Sequence, residues 1–124
     1  MWVKCNPNPW GKSVGDCVVR AISVATERSW QDVYEDLCRM GRIMCDMPSS
    51  NAVWGTFLEK EGYRQRLLPD TCPRCMTVRA FADRFPMGTY IVGTGQHVVA
   101  IIDKSYFDSW DSGDEIINTY WEID

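Results

Sequence analysis

Cys17 follows Gly15-Asp16 at the head of the apolar run "CVVRAISVA". A thiol at the start of a helix sits at the positive end of the helix dipole, among unpaired N–H groups. Both favour the thiolate, which is the reactive form. A thiol nucleophile also needs a base and a group that orients the base. The chain has a single histidine, His97, so any imidazole chemistry belongs to it. His97 opens the run "HVVAII", and the following "YFDSWDS" holds two carboxylates, Asp108 and Asp111.

Strand register decides which carboxylate can reach the imidazole. If Asp103-Lys104 is a two-residue hairpin turn, His97 falls opposite Trp110 and Asp108 shares its face one diagonal step away. If the loop takes three residues, His97 faces Asp111. The shorter turn leaves "HVVAII" and "SYFDSW" fully paired, so Asp108 is the expected partner and Asp111 the alternative. Each residue also has a plain structural reading. A cysteine on an apolar helix packs as a small core residue, and Asp in "DSWDSGD" is ordinary turn chemistry.

The surrounding elements read as helices first and strands after. Residues 1–15 read as a loop rich in Asn, Pro and Gly. A helix starts near Asp16, with Val18, Ala21, Ile22 and Ala25 at helical spacing. Ser29 is an N-cap for "WQDVYEDLCRMGRIM", whose Val33, Leu37 and Met40 form one stripe. "NAVWGTFLEKEG" is a third helix, "YRQRLLP" a short strand and "DTCPRC" a loop. Thr77 caps "VRAFADRF", which Pro86 closes. From "TYIVGT" onward β-branched and aromatic residues dominate, with "HVVAII", "SYFDSW" and "EIINTYWEI" as further strands. The expectation is one α+β domain over 1–124, with N-terminal helices packed on a C-terminal antiparallel sheet.

Composition limits the function classes. The chain has 124 residues, 45% of them apolar, which is enough for one core. Its net charge is −4, without the basic stripe of a nucleic-acid binder. No apolar run reaches membrane-span length and "MWVKCNPNPWGK" has no signal-peptide h-region, so a cytoplasmic protein without nucleic-acid or membrane partners is expected. Six cysteines in a reducing compartment point to free thiols, a metal site or a catalytic thiol. Cys72 and Cys75 in "CPRC" have the spacing of one zinc half-site or a redox pair. Cys38 and Cys45 are spaced too widely for a second half-site, so a loop with exposed thiols, and no cofactor, is the expectation.

The order of Cys at a helix start, a helical half, His at a strand start and Asp on the next strand resembles the papain-like cysteine peptidase superfamily, including its C39-like and ubiquitin-peptidase-like branches. "GDCVVRAIS" resembles the Cys segment and "GQHVVAIIDKSYFDSWDS" the His and Asp segment. The chain also resembles small proteins of bacteria and their phages that combine a "GDCVVRA" helix with a C-terminal "DSWDS" and "YW". The similarity runs from Asn8 to Trp121, and those two segments are its specific part.

The resemblance implies a papain-like fold with Cys17 as nucleophile, His97 as general base and Asp108, or Asp111, orienting the imidazole. Such enzymes usually place a Gln several residues before the Cys as an oxyanion donor. Here "NPWGKSVGD" has none, which leaves Asn8, Lys12 or backbone N–H groups, including that of Cys17. Asp16, beside the nucleophile, would raise the thiol pKa unless its charge is spent capping the helix. Three functions follow: a cysteine peptidase or amide hydrolase; an inactive papain-like module that binds a protein or peptide; or a small metal-stabilised interaction protein organised by its cysteines. A phage-encoded role against a host protein suits either of the first two.

Overall fold

The protein's structure, a computed structural model, describes residues 1–69 and 72–123. Its elements run β1 (Trp2–Lys4), α1 (Cys17–Thr26), α2 (Trp30–Met44), α3 (Asn51–Lys60), β2 (Gln65–Leu67), α4 (Val78–Arg84), β3 (Thr89–Gly93), β4 (Val98–Ile102), β5 (Ser105–Asp108) and β6 (Thr119–Ile123). The class is α+β. Asp70 and Thr71, which open the "DTCPRC" loop, lie outside the described residues, as does Asp124.

Local signals explain the helices. Ser29 caps α2 by accepting from Asp32 N, and Thr77 caps α4 by accepting from Ala80 N. Glu27, just past α1, and Cys45, just past α2, take the left-handed conformation that ends a helix.

The strands form one sheet of order β1-β5-β4-β3-β6-β2. All neighbours are antiparallel except β1, which runs parallel to β5 with Trp2 opposite Tyr106 and Lys4 opposite Asp108. The expected purely antiparallel sheet is therefore a mixed one. Residues 2–4 of the expected N-terminal loop are its edge strand. A three-residue strand that pairs with a segment a hundred positions away leaves no local pattern to read. "EIINTYWEI" is also shorter as a strand than expected: β6 covers only Thr119–Ile123, and Ile116 makes a lone bridge to Thr77.

The helices do not share one face of the sheet. Val18, Ile22, Val33, Leu37, Trp54 and Leu58 from α1–α3 pack with Ile91, Ala100 and Trp121. Val78, Phe81 and Ala82 from α4 pack on the other face with Tyr90, Val92, Val99 and Ile101. Both faces of β3 and β4 are thus buried, which is why these strands read as continuous apolar runs rather than alternating ones.

Two turns set the site. Asp103 and Lys104 have φ of 47° and 69°, the two left-handed residues of a type I′ hairpin. Ile102 therefore pairs with Ser105 and Ala100 with Phe107. Between β3 and β4, Gly95 (φ +98°) lets the chain reverse so that Thr94 N donates to His97 O at 2.9 Å.

Candidate active site

Cys17 is the first residue of α1, and its side chain is partly exposed beside the start of β4. The first helical bond runs from Arg20 N to Asp16 O at 2.8 Å. Asp16 occupies the N-cap position but its carboxylate accepts no capping bond, so the first-turn N–H groups have no capping side chain.

Asp16 is only 6% exposed, and both its oxygens are engaged. Oδ1 pairs with the Arg20 guanidinium, and Oδ2 accepts from Trp30 Nε1 at 2.9 Å. Its charge is spent on Arg20 and Trp30 rather than on the helix end.

His97 lies one residue before β4. Its backbone is pinned by His97 N donating to Thr94 Oγ1 at 2.9 Å. Its Nε2 meets Asp108 Oδ2 at 2.6 Å, leaving Nδ1 as the nitrogen that can serve Cys17. The Trp110 ring lies against the imidazole, with centroids 5.0 Å apart and planes inclined at 37°.

Asp108 ends β5, beyond the last β4–β5 pair, and is 2% exposed. Besides His97, Oδ2 accepts from Ser112 Oγ at 2.7 Å. Oδ1 accepts from Ser109 N at 2.8 Å and Arg20 Nη2 at 3.1 Å. Four donors fill the carboxylate's acceptor positions and fix its orientation. The backbone is held as well, because Asp108 O accepts from Cys5 N at 2.9 Å and from Trp2 Nε1 at 3.1 Å. The N-terminal strand is thus part of what positions this carboxylate.

These contacts shift all three groups. Burial pushes the Cys17 thiol up, but hydrogen bonds with His97 and the Val98 backbone, and the charges of His97 and Arg20, outweigh it and bring the thiol below its ordinary value. Burial pulls His97 down, but hydrogen bonds and charge from Asp108 and Cys17 raise it to about 9. Burial pushes Asp108 up, and the hydrogen bonds from His97 and Ser112 still hold it below the ordinary carboxylate value. The shifts all run in the direction of a thiolate beside an imidazolium, with a carboxylate behind it.

Asp111, the alternative, is not in this group. Its Oδ1 accepts from Tyr106 Oη at 2.5 Å and Gly113 N at 3.1 Å, and lies 3.7 Å from Arg79 Nη2. The oxyanion candidates Asn8 and Lys12 lie in the loop before α1. Asn8 Oδ1 accepts from Trp10 N and Lys12 N to shape its own loop, and Lys12 Nζ sits 5.3 Å over the Trp10 ring. Backbone N–H groups at the head of α1 are donors near Cys17.

Cys72 and Cys75 are joined in a disulfide, so the reading of them as exposed thiols or a zinc half-site is corrected. Among the described residues no group of three or more His, Cys, Asp or Glu could hold a metal ion.

Sequence reasoning placed Trp110 beside His97, as the ring contact shows, and missed Arg20, Ser112 and Trp30. For Arg20 a signal was present: a lone guanidinium in the apolar run "CVVRAISVA", one turn after both Asp16 and Cys17. The others depend on contacts between segments distant in sequence. Of the C-terminal aromatics, Trp121 is core and Tyr120 joins the Phe81, Phe85 and Tyr90 cluster. A cavity of about 250 Å³ opens beside the start of α1, walled by Val14, Gly15, Val18, Trp30, Tyr34 and Pro48. No helix among the described residues is long and apolar enough to cross a membrane.

Comparison of the chain with family models, with curated proteins and with solved structures finds no match.

Proposed function

We propose that the protein is a papain-like cysteine peptidase or amide hydrolase. The observation that carries this reading is the chain of contacts from Cys17 through His97 to Asp108, with His97 Nε2 only 2.6 Å from Asp108 Oδ2. The Cys17 thiolate attacks the carbonyl carbon of an amide. The oxyanion forms at the head of α1, where backbone N–H groups are uncapped. Imidazolium Nδ1–H passes its proton to the leaving amine, the C–N bond breaks, and an acyl-thioester remains. His97 then takes a proton from water as it attacks, and the thiolate returns.

The leaving group must lie on the His97 side, because His97 protonates it. The apolar cavity walled by Trp30 and Tyr34 is bordered by Asp16 and Val18, the neighbours of Cys17, while Cys17 and His97 themselves do not line it. A cytoplasmic setting belongs to this proposal as an expectation; the four free thiols fit it and the Cys72–Cys75 disulfide does not.

A specific observation favours a second reading, the inactive peptide- or protein-binding module. The segment "NPWGKSVGD" before Cys17 holds no Gln to donate to an oxyanion, and the Lys12 ammonium sits over the Trp10 ring. Labelling and turnover separate the two. The hydrolase reading expects iodoacetamide to modify Cys17 before Cys5, Cys38 or Cys45 at neutral pH, and an alkylation-sensitive release of amine from a pooled peptide library. Fast labelling without turnover supports the binding module. Labelling of other cysteines with Cys17 untouched sinks the hydrolase reading.

A further inference from the structure

Arg20 is buried, 9% exposed, on α1 one turn beyond Cys17. The two ends of its guanidinium take different carboxylates. Nη1 pairs with Asp16 Oδ1, and Nη2 reaches Asp108 Oδ1 at 3.1 Å. Asp16 precedes the nucleophile directly, and Asp108 stands behind His97. One planar group therefore ties the element that carries the thiol to the element that carries the acid.

We propose that Arg20 is a positioning residue for the Cys17–His97–Asp108 site: its guanidinium fork sets the spacing between α1 and the end of β5 and cancels the charge of Asp16 beside the thiol. The inference rests on the reading of that site as a thiol hydrolase.

Three features of the geometry support it. A guanidinium is flat and rigid, so two carboxylates bound to its two ends have a fixed separation; an ammonium is a single point and fixes none. Asp108 Oδ2 serves His97 while Oδ1 takes Arg20 and Ser109 N. Among the described residues Arg20 is the one side chain that holds Oδ1, and without it the carboxylate's orientation toward Nε2 rests on Ser109 N and Ser112. Asp16 and Asp108 also place two buried negative charges near a thiolate, and Arg20 lies between them. An unneutralised Asp16 would oppose thiolate formation.

His97 is the chain's only histidine, so its C2–H proton resonance reports the site without assignment. Arg20→Lys keeps the charge and removes the fork. The double variant Asp16→Asn with Arg20→Gln removes the fork while leaving the net charge of the cluster unchanged, which guards against a variant that fails to fold through uncompensated buried charge. The readouts are the pH profile of Cys17 alkylation by iodoacetamide, the His97 titration by NMR, and thermal unfolding.

In both variants we expect Cys17 alkylation at pH 7 to fall about tenfold, one pH unit in the thiol titration, and His97 to titrate lower than the wild type. A purely structural ion pair predicts lower thermal stability with both profiles unmoved, and that result overturns the proposal. A His97 titration that rises also overturns it, since loss of a cation without loss of Asp108 orientation would act in that direction. If His97→Gln leaves the Cys17 profile unchanged, the hydrolase reading fails by itself, and the His97 titration still decides whether Arg20 holds Asp108.

Discussion

Replacing Asp108 by Asn keeps the side chain's shape and removes its charge. The effect can be sized from His97. The imidazole titrates at about 9 against an ordinary 6.5, a gap of about 2.5 pH units, or about 3 kcal/mol at 1.36 kcal/mol per unit. His97 is 14% exposed at its side chain, so solvent screening removes little of this. Asp108 and Cys17 both raise the imidazole, each through a hydrogen bond and a charge. Asp108→Asn leaves the Cys17 share in place. His97 should therefore fall by about one to two pH units, a loss of about 1.5–3 kcal/mol of interaction. With less imidazolium beside it the thiol also rises, and Cys17 alkylation at pH 7 should drop about tenfold. NMR titration of the sole histidine and iodoacetamide kinetics measure the two effects. Asp111→Asn is the control, since Asp111 is held by Tyr106 and Gly113 N and does not touch the imidazole. A His97 titration unmoved in Asp108→Asn, or moved instead in Asp111→Asn, would refute the reasoning.

The same shifts govern stability against pH. His97 is raised above its unfolded value, so its contribution is full below about pH 6.5 and is lost as pH rises toward about 9. Cys17 is lowered, so its contribution grows as pH rises toward its ordinary 9.0. The two slopes have opposite signs, and they offset in the part of this window that lies above the lowered thiol titration. Cys17→Ser removes one of them: urea midpoints of this variant should fall from pH 6.5 to pH 9 more steeply than those of the wild type, and midpoints that rise would count against the pair. Ser29→Ala removes the bond to Asp32 N at the start of α2 and should cost about 1 kcal/mol in urea unfolding; an effect within error would mean water caps the helix equally well.

Much of this protein was legible locally. Helix starts were written in Ser29 and Thr77, because a cap bonds a backbone three residues away and needs no tertiary partner. The "Asp103-Lys104" turn set the β4–β5 register, and with it the placement of Asp108 near His97, because a two-residue connection has few geometries. Cys17 at a helix start, a single His and a following Asp were visible as types and order. What the chain's local pattern left open depends on segments that meet only in the fold. β1 pairs with β5 from the far end of the chain and carries no periodic signal in three residues. The two-sided covering of the sheet came from α4 taking the face opposite α1–α3, which amphipathicity does not specify, since an apolar stripe says that a face is buried and not against what. The fate of Asp16 turned on Arg20 and Trp30, and that of Asp111 on Tyr106 and Arg79. A carboxylate's partner is the donor that the fold brings within about 3 Å of it, and that distance is decided by tertiary packing.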